Sequence, residues 1–232
     1  MTDAVRPRIA IGIPSRDLIN IETAHCLANM VGRFTQLFVA TGQAEIVTVS
    51  VSGTLLPQMR NSIVEQAMEH RCTHILWIDS DMEFPADSLE RLLLRKEAVV
   101  GVNYSQRKRP AKPTVARRDD KGGRYWVYTE AQEGIEAVEF IGHGLCLAET
   151  SVYEAMPKPW YMLGWSRERQ CIIGEDVWFC HQLKRLECPV YVDHDLSRDI
   201  GHIGYHTYTM ADAVEDRPEL IRRQEEGKSD GA

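Results

Sequence analysis

The sequence predicts an α/β fold with a mixed, mostly parallel central sheet. Over the first hundred residues, strand-sized apolar runs alternate with stretches of helical periodicity. The second half breaks that alternation with hairpin-like pieces, which would add strands of mixed direction. No Gly/Ser/Pro-rich linker divides the 232 residues, so the chain reads as one domain over 1–215 followed by a charged tail over 216–232, expected to end in disorder.

In order along the chain, residues 9–13 form an apolar run stopped by Pro14-Ser15. Helical spacing follows through Ala24, Leu27, Ala28, Val31, Phe34 and Leu37. Residues 45–51 alternate as a strand, and Pro57 opens a helix reaching about His70, since proline suits a first helical turn. Residues 73–78 make a third strand. Pro85 precedes a helix with Leu89, Leu92 and Leu93 on its apolar face, and residues 98–102 a fourth strand. Later, 114–118 and 124–129 read as a hairpin around 119–123, 138–148 as one long strand, and 189–192 as the last strand. Residues 174–186 read as a helix, with Glu175 and Asp176 at its start and Lys184 and Arg185 at its end, as the helix dipole prefers. In such sheets ligands bind at the carboxyl ends of the strands, so the loops after the strands should carry function.

Composition sets the outer bounds. With 27 Lys+Arg against 34 Asp+Glu the formal charge is −7, and 44% hydrophobic with 26% charged residues is ordinary for a globular protein. Disorder, collagen repeats and coiled coil fail as descriptions of the whole, and the acidic balance argues against a protein held on nucleic acid by charge alone. No apolar run nears the ~18 residues that cross a bilayer, and the stretch after residue 8 is too short for a signal-peptide core. The expectation is a soluble, cytoplasmic protein. Six cysteines without a Cys-x-x-Cys pair suggest free thiols in a reducing compartment.

The sharpest feature is Asp79-Ser80-Asp81, directly after an apolar strand. Two carboxylates at period-two spacing can face the same side, where a hard divalent cation relieves their repulsion and keeps positions open for phosphate oxygens. Taken alone, the motif is equally a solvated acidic turn. A second acidic pair, Glu175-Asp176, opens a helix far along the chain, and His202-Ile-Gly204 follows the last strand.

Together, strand-Asp-Ser-Asp, then Val138-Glu-Phe-Ile-Gly-His-Gly-Leu-Cys-Leu147, then Gly-Glu-Asp-Val, then Gly-His-Ile-Gly, in that order, resemble a GT-A glycosyltransferase of the family 2-like type, over about residues 9–206. The resemblance implies a single GT-A domain, Rossmann-like in the manner of nucleotide-diphospho-sugar transferases. It implies a Mn²⁺ or Mg²⁺ held by Asp79, Asp81 and His202, with Asp81 the main ligand, and a nucleotide-sugar donor, UDP- or GDP-sugar first. Asp176 would be the base that deprotonates the acceptor hydroxyl in an inverting transfer, with Glu175 positioning it or binding acceptor. Pro14, Ser15, Arg16, Arg60, Asn61, Asp79 and Ser80 would bind the donor. Gly142, His143 and Gly144 would line the acceptor side, where Trp160, Trp165 and Trp178 could stack on a sugar ring, with core packing the role of at least one of them. The acceptor class stays open among a glycan, a lipid-linked sugar, a protein and modified DNA.

The segment 105–124 holds eight Lys/Arg against two Asp, a balance of +6 that leaves −13 for the rest. Such a basic flap, Arg107 included, could close on the donor diphosphate, draw an anionic acceptor, or simply be solvated. His202 and His206, with Asp193, His194, Asp195 and Asp199, form only a weak zinc pattern without a cysteine. Two rivals stand beside the transferase. One is a haloacid-dehalogenase-like Mg-dependent phosphatase with Asp79 as nucleophile; the other is a non-catalytic nucleotide-sugar- or glycan-binding module on the same fold.

Overall fold

A computed structural model describes residues 6–118, 124–167, 170–204, 209–215 and 217–225. The strands are β1 (Arg8–Ser15), β2 (Glu45–Ser52), β3 (His74–Ile78), β4 (Met82–Glu83), β5 (Val99–Gly101), β6 (Ala116–Arg118), β7 (Arg124–Trp126), β8 (Ile135–Val138), β9 (Leu145–Glu149), β10 (Gly164–Ser166), β11 (Cys171–Ile173), β12 (Val190–Asp193) and β13 (Gly201–His202). The helices are α1 (Ile21–Phe34), α2 (Leu56–Glu69), α3 (Ser88–Leu94), α4 (Thr150–Ala155), α5 (Glu175–Arg185), α6 (His194–Ser197), α7 (Met210–Glu215) and α8 (Arg217–Glu225).

Seven strands form the central sheet in the order β2-β1-β3-β9-β5-β12-β8. β2, β1, β3, β5 and β12 run one way, while β9, between β3 and β5, and β8, at the edge, run the other. The α/β class and the mostly parallel sheet expected from the sequence are therefore present. Period-two alternation along β3 divides the core: Ile75 and Trp77 join Ile63, Val64, Tyr153 and Phe179 on one face, while Leu76 and Ile78 join Met30, Phe34, Leu89 and Leu196 on the other. Burying strands on both faces accounts for their continuous apolar runs.

Two helices open as the sequence predicts. Leu55 precedes α2 with Pro57 in its first turn, and α5 begins with Glu175 and Asp176 and ends with Lys184 and Arg185. The segment read as one strand over 138–148 is instead two, β8 and β9, on opposite sides of β5 and β12. Between them Gly142 and Gly144 pass under the Tyr104 ring. A Cβ on Gly142 would sit 2.5 Å from Tyr104 Oη, and one on Gly144 2.7 Å from Tyr104 Cζ, so only glycine permits this crossing. The chain also extends past the strand read as last. β13 pairs with β4, setting His202 opposite Met82 beside the Asp-Ser-Asp turn. β6 and β7 pair as the expected hairpin, whose turn lies outside the described residues. The charged tail is helical over Arg217–Glu225, while 226–232, where disorder is expected, lie outside the described residues. All six cysteines are free, and among the described residues no helix is long and apolar enough to cross a membrane.

Two glycines predict opposite outcomes. Gly144→Ala places a methyl against the buried Tyr104 ring and the Met82 Sδ, 2.8 Å away, and should cost about 1–3 kcal/mol in urea unfolding. Gly32→Ala, inside α1 with nothing within 4 Å of the new Cβ, should stabilise by about 0.5–1 kcal/mol in the same assay.

Candidate active site

The site forms where the carboxyl end of β3 meets the N-terminus of α5, and a buried arginine from α2 joins them. Arg60, its side chain 2% exposed, places Nη2 2.8 Å from Asp79 Oδ1 and Nε 3.4 Å from Glu175 Oε1. Its guanidinium lies over the rings of Trp77 and Tyr161, with centroids at 5.2 and 5.9 Å. The rings are themselves fixed, since Trp77 Nε1–H donates to Tyr153 Oη, which lies 3.0 Å from Tyr161 Oη. Burial alone would make Arg60 easier to deprotonate, but Asp79 and Glu175 outweigh it and raise its pKa.

Four carboxylates share this region under different conditions. Burial pushes Asp79 up, Arg60 pulls it back and Asp81 adds to the rise, leaving it above its ordinary value. Burial acts the same way on Asp81, yet His202 and Arg107 outweigh it and hold the carboxyl below its ordinary value. Asp176 is pushed up to about 6 by burial and by the neighbouring Glu175, although the Val177 N–H donates to its Oδ1 at 2.7 Å. Tyr104, buried beside these acids, is driven well above the usual phenol range by burial and by Asp79 and Asp176, and its Oη accepts from the Gly144 N–H at 3.0 Å.

Around Asp81 the chain closes a second set of contacts. The Ile203 N–H donates to the Asp81 carbonyl at 2.7 Å, fixing the backbone after β13 against the Asp-Ser-Asp turn. His202 Nδ1 is 2.8 Å from the Ser105 carbonyl, which can only accept, so Nδ1 carries the proton. Its Nε2 lies 3.5 Å from Asp81 Oδ1. Arg107 Nη1 completes the cluster, 2.6 Å from Asp81 Oδ2 and 3.2 Å from the Ile203 carbonyl. Among the described residues no three His, Cys, Asp or Glu side chains are arranged to hold a metal ion; the donors here are one carboxylate, one imidazole nitrogen and one carbonyl.

The other sequence-predicted residues divide by placement. Pro14 and Ser15 end β1, Ser15 Oγ donates to the Leu18 carbonyl, and the following loop is tied to the motif by the Asn20 N–H to the Ser80 carbonyl. Arg16 is exposed and pairs with Asp17 at 3.2 Å. Asn61 uses its amide on backbone, donating to the carbonyls of Pro57 and Tyr161 and accepting from the N–H groups of Trp160 and Tyr161. It secures the segment that covers Arg60. Trp165, 57% exposed on β10, faces Ile172, 62% exposed on β11, in a hairpin leading straight into α5. Trp178 props that hairpin and donates to the Pro159 carbonyl at 3.3 Å, and Trp160 is core.

Two expectations need correction. His143 does not line an open surface: it is 1% exposed, boxed edge-on by Trp77, Tyr161 and Phe179, with neither ring nitrogen hydrogen-bonded. Burial and the Arg60 charge hold it well below its ordinary pKa, so it is neutral. The glycine crossing under Tyr104 is what turns its ring inward. In the basic segment, likewise, the described side chains are not simply solvated. Arg109 pairs with Asp212, Arg117 with Glu136 and Arg118 with Glu139, while Lys112 is buried over Trp126. Of the zinc pattern, Asp193 and Asp195 both bind Arg95, and His206 lies outside the described residues. Tyr104, Ser105 and Ile203 escaped the sequence reading, although Tyr104 and Ser105 lie in the loop after β5 where such sheets place ligands.

The chain matches no family model and no curated protein. Among solved structures it is similar to the crystal structure of A197 from STIV, with a TM-score of 0.56 at 17% identity, covering 85% of this chain and 86% of that one. That likeness is one of fold.

Removing a charge at two positions should act in opposite directions. Arg60→Met strands Asp79 and Glu175 without their cation and should cost roughly 2–4 kcal/mol in urea unfolding, less at pH 5 than at pH 8 because Asp79, already raised and now without Arg60 to pull it back, takes up a proton. For Asp176 the raised pKa means that the folded state favours the protonated acid. That stability is present in full below the ordinary 3.8 and lost as pH climbs through about 6. Asp176→Asn should therefore raise the melting temperature by about 2–4 °C at pH 7.5 and change it little at pH 4.

Proposed function

We propose that this protein is a glycosyltransferase that moves a sugar from a nucleotide-diphosphate-sugar to an acceptor hydroxyl, with inversion and with Asp176 as base. The observation that carries the reading is the Arg60 bridge. It brings the Asp-Ser-Asp turn and the Glu175-Asp176 pair, nearly a hundred residues apart in sequence, into one site, so a donor on the first would face a base on the second. The likeness of fold to A197 from STIV agrees with a GT-A-like arrangement.

The donor set around Asp81 fits a hard divalent cation. Asp81 and the Ile203 carbonyl already hold a positive charge, the Arg107 guanidinium, His202 Nε2 borders the other Asp81 oxygen, and His202 is oriented through Nδ1 in the way metal-binding histidines are. Mn²⁺ or Mg²⁺ would be held by Asp81 and His202, with Asp79 facing the donor while Arg60 secures one of its oxygens. When bound, the metal would offset the charge that develops on the leaving diphosphate.

The chain's own residues supply the remainder. The Asp176 carboxylate accepts the proton of the acceptor hydroxyl; the hydroxyl oxygen bonds to the anomeric carbon as the bond from that carbon to the diphosphate oxygen breaks, and the electron pair leaves with the nucleoside diphosphate. A base held at about 6 is ionised at neutral pH yet basic enough to assist. Glu175, tied to Arg60, fixes the start of α5 and so the aim of its neighbour. Trp165 and Ile172 offer an apolar platform beside the base for an acceptor ring. Arg16 and the loop over 16–20 border the donor side. The phosphatase alternative needs Asp79 as nucleophile, and Arg60 holds one of its oxygens at 2.8 Å.

A panel of nucleotide-sugars screened by thermal shift tests the reading. At least one UDP- or GDP-sugar should raise the melting temperature in the presence of Mn²⁺ but not of EDTA, and Asp81→Asn should lose the shift. No metal-dependent shift with any donor would sink the proposal; a shift without turnover of any donor would favour a binding module. With the donor so found, Asp176→Asn should keep the shift but lose about 10²–10⁴-fold of turnover. The wild-type kcat/KM should fall as pH drops through about 6, because the base is then protonated.

A further inference from the structure

We propose that Arg107 is an exchangeable resident cation: its guanidinium occupies the ligands of the divalent site and passes to the donor diphosphate when a metal ion takes its place. The inference rests on the reading of Asp81 and His202 as a cation site.

One guanidinium nitrogen, Nη1, lies between two oxygens from separate parts of the chain, Asp81 Oδ2 at 2.6 Å and the Ile203 carbonyl at 3.2 Å. His202 Nε2 borders the same carboxylate at 3.5 Å. These donors owe their places to other contacts. The Ile203 N–H grips the Asp81 carbonyl, and the Ser105 carbonyl holds the His202 ring. The set would therefore keep its form after Arg107 leaves.

Arg107 itself is free to leave. Its side chain is 45% exposed, so its departure opens no core. Its neighbours are pinned by backbone bonds, the Gln106 N–H to the Lys112 carbonyl and the Lys108 N–H to the Gln106 carbonyl, so that only the side chain need swing. In that respect it differs from Arg109, Arg117 and Arg118 of the same segment, which pair with acids away from the site. Two cations a few ångströms apart on one carboxylate repel, so a divalent ion entering at Asp81 displaces the guanidinium. A diphosphate beside the metal is then the anion a guanidinium fork suits best. Arg107 would thus shield Asp81 and leave it as metal and diphosphate arrive together.

Titrating the intact protein with Mn²⁺ alone, reading free Mn²⁺ by electron paramagnetic resonance, separates this inference from the one beneath it. Arg107→Gln should bind Mn²⁺ about three- to tenfold more tightly than wild type, the gain from removing an ion pair of modest strength, with a melting temperature unchanged to within about 2 °C. Asp81→Asn, alone or combined with Arg107→Gln, should abolish binding. Equal or weaker Mn²⁺ affinity in Arg107→Gln overturns the exchange and leaves the cation site standing. Failure of wild type and Arg107→Gln alike to bind Mn²⁺ overturns both.

Discussion

One buried cation organises the site. Arg60 has no route to solvent, so its charge must be met where it lies, and Asp79 meets it at Nη2 and Glu175 at Nε. Removing three charged groups from water costs several kcal/mol per ion, and their mutual attraction repays this only with good geometry. The faces of Trp77 and Tyr161 and the hydroxyl chain through Tyr153 supply that geometry. Buried ion networks of this kind contribute little net stability and much specificity of arrangement. Here the arrangement gained is the register between the end of β3 and the start of α5.

The sheet supplies the rest of the convergence. β1, β3 and β5 run in the same direction, so the loops that follow them emerge at one end, and the antiparallel insertion of β9 between β3 and β5 opens space there. Tyr104 fills part of that space, and the two glycines passing beneath it let the chain cross without a side chain in the way. Tyr104 then closes the floor between the Asp-Ser-Asp turn and α5, edge-on to His202 at 5.2 Å. An apolar floor beside several carboxylates accounts for the upward shifts of Asp79 and Asp176, since burial is the first cause of both.

Features encoded over short stretches of sequence were legible. The acidic turn after an apolar strand, the dipole-matched charges of α5 and the proline opening α2 each involve fewer than a dozen or so neighbouring residues, and each has its predicted place. What the sequence hid depends on distance and direction. Arg60 reads as a donor contact, and its place as a buried bridge shows only when its partners, 19 and 115 residues away, are seen around it. His143 reads as a ligand-facing residue because glycines flank it, yet those glycines serve the crossing under Tyr104 and turn the ring into an aromatic box. The basic segment reads as a flap because its acids, Asp212, Glu136 and Glu139, lie elsewhere in the chain. Charge balance along a sequence says little about charge balance in space.

The two acids of the Asp-Ser-Asp motif show the same point at the smallest scale. They are separated by one residue, and burial pushes both in the same direction, yet Asp79 ends above its ordinary value and Asp81 below it. The difference lies in their partners. Asp79 shares a single buried arginine with Glu175 and feels Asp81 beside it, so its charge is only partly met. Asp81 has Arg107 on one oxygen and His202 near the other, both from segments outside the central sheet. Neighbouring carboxylates driven apart in this way take different tasks. The acid paired with a half-exposed arginine can exchange its partner for another cation, while the one fixed to a buried arginine is suited to hold geometry.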